Sequence, residues 1–139
     1  MNLTALEDQL IRHESMELTV YKDSVGILTI GVGRNLEHVG LRNEAEARYL
    51  LRSDILAIKA ELDSALPWIA DLDEVRQRCL INMAFNLGVK GLTGFTRTLR
   101  FVSLGQYGDA GKEMLLSKWA NQVGNRAKEL SSMMATGKD

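Results

Sequence analysis

The chain has 139 residues, 45% apolar and 25% charged, with 17 basic against 18 acidic side chains; that suits one globular domain that folds without disulfides or metal, and argues against nucleic acid as a partner. A single cysteine, Cys79, excludes an intramolecular disulfide, and no Cys/His cluster suggests a metal site. No stretch approaches the ~18 apolar residues of a membrane span, and Met1–Asp8 lacks the basic and apolar regions of a secretory signal, so a cytoplasmic protein is expected.

Thr4-Ala-Leu-Glu7 fits a capping box opening a first helix, along which Leu3, Leu6, Leu10 and Ile11 share a face that Glu14 continues. An acid at the end of such a stripe is expected to be partly desolvated; a buried acid paired with a structural arginine is the alternative. Residues 18–22 and 27–32 are rich in Thr, Val, Ile, Leu and Tyr, and Asp23-Ser-Val-Gly26 between them has turn character, which predicts a hairpin. Gly31-Val-Gly33 lacks the third glycine of a dinucleotide loop, since Leu36 stands there. Asn43-Glu-Ala-Glu46 fits a second capping box, opening a helix to about Ser64 that Pro67 follows. Asp71 to Leu87 reads as a central helix with Val75, Cys79, Met83 and Leu87 on one face, and Gly88 as its cap. Gly88, Gly91 and Gly94 predict a tight connection, and helices are expected at about 95–104, 107–119 and 125–135.

Two carboxylates on separate elements suit acid/base cleavage of a glycosidic bond. Such chemistry needs one protonated group and one ionised group. Glu14, on an apolar face, suits the acid; Asp23, in a polar turn, suits the base; Thr29 offers a hydroxyl that can hold a water. His13-Glu14-Ser-Met-Glu17 lacks the second histidine of a zinc-protease motif.

The order Glu14, Asp23, Thr29, with Tyr21-Lys22-Asp23, Thr29-Ile30-Gly31-Val32-Gly33, Ile81-Asn82-Met83-Ala84-Phe85, Gly94-Phe95-Thr96 and Asn125-Arg126-Ala127-Lys128, resembles the phage-type lysozymes over nearly the whole chain. The resemblance implies an α+β, mostly α, lysozyme-like fold. It has two lobes, a small N-terminal β-hairpin unit and a C-terminal helical bundle. The expected division is about 13–62 for the small lobe and connecting helix, and 1–12 with 63–139 for the helical lobe. It implies hydrolysis of the β-1,4 bond between N-acetylmuramic acid and N-acetylglucosamine in peptidoglycan, with inversion, lysing a bacterial cell. Glu14 would protonate the leaving oxygen, Asp23 would activate a water and Thr29 would position it. Arg126 would pair with Glu14, and Gly33, Asn35, Phe85, Asn86 and Thr98 would bind saccharide. Trp119 matches a tryptophan near the family's cleft, with a packed core aromatic as the equal alternative. No cofactor or metal is implied. The expected protein is a monomer without nucleic-acid partner or stable membrane association. It would be made in a host bacterial cytoplasm and reach the wall through a holin-made lesion. Arg34 and Asn35 stand where a typical member has histidine and leucine, and the segment from Gly33 to Asn43 is shorter, so a reduced small lobe is expected. A lytic transglycosylase, or an inactive wall-binding module, are the rival readings.

Overall fold

A computed structural model describes residues 1–139. In chain order it contains α1 (Leu3–Glu14), β1 (Glu17–Lys22), β2 (Leu28–Gly31), β3 (Arg34–Asn35), α2 (Glu44–Ala65), a 3-10 turn (Pro67–Asp71), α3 (Glu74–Leu87), α4 (Val89–Thr93), α5 (Thr96–Ser103), α6 (Tyr107–Leu115), α7 (Lys118–Val123) and α8 (Asn125–Thr136). This is the mostly α, α+β architecture that the sequence predicts. The chain divides into two compact units, Met1–Leu50 and Leu51–Asp139. The division falls inside α2 and groups α1 with the hairpin.

In the first unit, α1 is capped two residues before the expected box. Asn2 is the cap, its Oδ1 accepting from the Ala5 amide at 3.1 Å. The strands form one antiparallel sheet in the order β1-β2-β3. β1 meets β2 with Tyr21 opposite Thr29 and an irregularity between Glu17 and Tyr21; β2 meets β3 with Thr29 opposite Asn35 and Ile30 opposite Arg34. The third strand has no counterpart in the sequence reading, because two residues are too few to show alternation. No residue of α1 is buried, and Leu3, Leu6 and Leu10 are exposed. The buried stripe expected to end at Glu14 is therefore absent. Periodicity gives which residues share a face, but not whether that face is covered.

The second unit holds the core. Cys79, Leu80 and Met83 of α3, Leu92, Val102, Ala110, Met114, Trp119 and Leu130 cluster with Leu62 from the end of α2. α3 begins three residues later than expected. Asp73 caps it, accepting from the Arg76 amide at 3.1 Å, and Gly88 closes it at φ +77° with its N–H on the Ala84 carbonyl. The glycine-rich connection contains the short α4, and the helix expected over 107–119 is broken at Ser117, whose side chain caps α7 through the Ala120 amide. α6 packs closely on α8 at Gly111, where an added Cβ would lie 2.9 Å from the Ser131 carbonyl oxygen. Arg76 secures the end of α8: Nε and Nη2 donate to the carbonyls of Met134 and Ala135 at 2.7 and 3.2 Å, with the guanidinium 3.6 Å over the Tyr107 ring. Cys79 is buried with its thiol on the Leu130 carbonyl, and burial pushes its pKa up to about 12, which makes it unreactive.

Candidate active site

The hairpin turn is built by Asp23. Its amide donates to the Ile27 carbonyl, and Gly26, at φ +85°, returns its amide to the Asp23 carbonyl. Oδ1 of the same residue accepts from the amides of Val25 and Ile27, both at 2.9 Å. That pattern is the reason an aspartate favours this turn. It fixes the carboxylate and leaves Oδ2 without a hydrogen bond from the protein. Asp23 is half-buried, whereas Glu14 is exposed. The order of shielding is thus the reverse of the sequence expectation, and burial does not by itself assign the acid and the base.

Thr29 sits mid-strand in β2 between β1 and β3, and is 4% exposed. Its hydroxyl donates to the Ile27 carbonyl at 2.9 Å. The donor is therefore used, and only the oxygen's lone pairs remain for a water to address. Ile27 ties the two groups together, because its amide holds Asp23 and its carbonyl holds Thr29.

Glu14 ends α1. The next residue, Ser15, has φ +67° and ψ +162°, a region that favours glycine, and its amide caps the helix on the Ile11 carbonyl. The carboxylate of Glu14 rests against Gly33: a Cβ at Gly33 would stand 3.2 Å from Oε2 and 3.5 Å from Cδ. Gly33 lies at φ +64° between β2 and β3. The structure thus brings Glu14 against the same small sheet that carries Asp23 and Thr29. No sequence signal marks the strain at Ser15.

Other expected positions divide. Asn35 spends its Oδ1 on the amides of Glu37 and His38, at 2.9 Å each, shaping the turn after β3; its amide nitrogen stays available. Phe85 and Asn86, at the end of α3, are exposed. Asn86 Oδ1 accepts from the Trp119 indole at 2.7 Å. Trp119 itself is 3% exposed and stands edge-on to Phe95, with ring centres 6.1 Å apart, so of its two readings the structure supports the core aromatic. Thr98, in the first turn of α5, is 2% exposed, comparable with Thr29. Arg126, in the first turn of α8, is engaged with Asn82, donating from Nε and Nη2 to Oδ1 at 3.0 and 2.7 Å and from Nη2 to the carbonyl at 3.2 Å. No group of three or more His, Cys, Asp or Glu side chains is placed to hold a metal ion.

A family profile described as Phage lysozyme matches residues 11–134. The chain is 26% identical to "Probable T4-type lysozyme 1" of Dictyostelium discoideum, over 97% of this chain and 96% of that protein. It is 29% identical to the "SAR-endolysin" of Escherichia phage Mu, over 87% of this chain and 69% of that one. It is also 27% identical to the "Pre-baseplate central spike protein Gp5" of Enterobacteria phage T4, over 96% of this chain but 28% of the larger protein. The profile takes in Glu14, Asp23, Thr29 and all of α2 to α7, and with that extent of agreement the chain belongs to the phage lysozyme family.

Proposed function

We propose that this glycoside hydrolase of the phage lysozyme family cleaves the β-1,4 bond between N-acetylmuramic acid and N-acetylglucosamine in peptidoglycan by inverting acid/base catalysis. The observation that supports it most is the placement of Glu14 against Gly33, at the edge of the sheet that holds Asp23 and Thr29. In this reading Glu14 gives a proton to the leaving oxygen. Asp23 takes a proton from the attacking water through Oδ2, the oxygen that its turn leaves free. Thr29 accepts a hydrogen bond from that water, its own proton being committed to the Ile27 carbonyl. An inverting pair needs a water between base and sugar, hence a carboxylate separation of roughly 6.5–9.5 Å rather than roughly 5–5.5 Å.

Gly33, Asn35, Phe85, Asn86 and Thr98 are proposed saccharide contacts through the family resemblance. Gly33 offers backbone, the two asparagines offer amide donors and Phe85 offers a ring face. Arg126 enters the proposal through the family resemblance alone, as a residue supporting Glu14. Release of progeny by wall lysis, dependence on a holin and a monomeric state complete the reading.

Clearing of a peptidoglycan suspension tests it. Glu14→Gln and Asp23→Asn are each expected to abolish clearing with the fold kept, and Thr29→Val to lower it. A Glu14→Gln variant that clears at wild-type rate defeats the acid assignment. Binding to the wall without any clearing by the unaltered protein supports an inactive module instead.

A further inference from the structure

We infer that Arg34 and Glu46 form a positioning clamp for the catalytic hairpin. This rests on the proposed function, since it assigns the clamp to the same site. A strand of two residues, Arg34–Asn35, has little hold of its own, yet it backs Thr29 and Ile30 and follows directly on Gly33. Arg34 ties it down. Nη2 donates to Glu46 Oε1 at 3.1 Å, and Nη1 donates to Glu46 Oε2 at 3.2 Å and to the Gly40 carbonyl at 3.1 Å. The planar fork engages both carboxylate oxygens, a geometry that lysine cannot reproduce.

Glu46 is itself fixed. Its Oε2 accepts from the Arg42 amide at 2.8 Å, and its own amide donates to Asn43 Oδ1 at 3.0 Å, in the first turn of α2. The clamp therefore runs from β3 across the short connection to the start of a 22-residue helix. Both partners are about one-third exposed, at 34% and 31%, so its worth lies in geometry more than in net stability. Arg34 is one residue from Gly33, where an added Cβ would meet the Glu14 carboxylate, and lies opposite Ile30, the neighbour of Thr29. Releasing it lets the hairpin edge drift relative to both catalytic groups.

The test is a double-mutant cycle of Arg34→Gln and Glu46→Gln, with Arg34→Lys as the milder change and Arg48→Gln, an exposed arginine of α2, as a charge control. Rates on peptidoglycan are read beside the amide ¹H–¹⁵N shifts of Thr29 and Gly33. The clamp predicts a roughly 10-fold fall in kcat for Arg34→Gln with KM within about 2-fold, from a displacement well under 1 Å. It predicts that the double variant is no worse than the worse single one, an intermediate rate for Arg34→Lys, and no change for Arg48→Gln. Shifts at Thr29 and Gly33 should move in both single variants. Unchanged kcat and unchanged shifts in Arg34→Gln, or strictly additive losses in the double variant, would overturn it. If Arg34→Gln does not fold, Arg34→Lys and Glu46→Gln carry the same comparison. If the unaltered protein does not hydrolyse peptidoglycan, the functional reading fails, and the shifts alone decide whether the clamp holds the hairpin.

Discussion

Gly33 and Gly31 offer a matched pair of perturbations. Both have left-handed backbones, at φ +64° and φ +68°. An alanine at either position meets the cost of that conformation, about 1–2 kcal/mol, offset by about 0.4–1 kcal/mol from a less flexible unfolded chain. Each variant should thus lose on the order of 1 kcal/mol, which for a chain of this size lowers Tm by about 3 °C. Their surroundings differ. A Cβ at Gly31 meets nothing within 4 Å, whereas one at Gly33 falls 3.2 Å from Glu14 Oε2. The carboxylate must then move by a few tenths of an ångström. Since a misplacement of about 1 Å costs on the order of 10²-fold in rate, roughly 10-fold is expected for Gly33→Ala and little for Gly31→Ala. Thermal melts followed by initial rates of peptidoglycan clearing, both well below Tm, separate the two effects. Equal activity in the two variants would refute the close approach of Gly33 to Glu14, the proposed acid, as a determinant of rate.

Ser15 supplies a prediction of opposite sign. Its φ +67°, ψ +162° backbone costs a non-glycine residue about 1–3 kcal/mol, so Ser15→Gly should raise the urea midpoint, and a lowered midpoint would show that the serine side chain contributes more than the strain removes. Gly111→Ala should destabilise by about 1–3 kcal/mol through overpacking, because its Cβ would meet the Ser131 carbonyl at 2.9 Å; unchanged urea unfolding would contradict the close approach of α6 and α8. The Arg42 amide, followed by the Arg34 guanidinium, holds the Glu46 carboxyl below the usual range against a partial desolvation. Its folded value lies below its unfolded one, so its stabilisation is complete above the ordinary carboxylate pKa, about 4.3, and fades as pH falls through the lower folded value. The Tm gap between the unaltered protein and Glu46→Gln should stay constant from pH 7 to about 5 and narrow only in stronger acid; a gap that closes near pH 6 would contradict the pairing.

Local signals were the legible part of the fold. Asn43 and Asp73 cap their helices, Gly88 ends α3, and Asp23 makes its turn, because each of these depends on a few neighbouring residues. The α1 stripe failed for the complementary reason: Leu3, Leu6 and Leu10 repeat at helical spacing, but what covers them is a tertiary matter. The same distinction separates the site residues. Asp23 and Thr29 are four or fewer residues from their partners, Val25 and Ile27, and could be placed from the hairpin pattern. Arg34 with Glu46, twelve residues on, and Asn82 with Arg126, forty-four residues on, are pairings that no period reveals.

The anomeric form of the product tests the central claim most directly. Fresh reducing ends released from peptidoglycan should be N-acetylmuramic acid in the α configuration at early times, because a water delivered by Asp23 to the face opposite Glu14 inverts the β bond. A β product would indicate retention and a covalent or substrate-assisted route, and 1,6-anhydro ends would indicate a transglycosylase; either result would contradict the account.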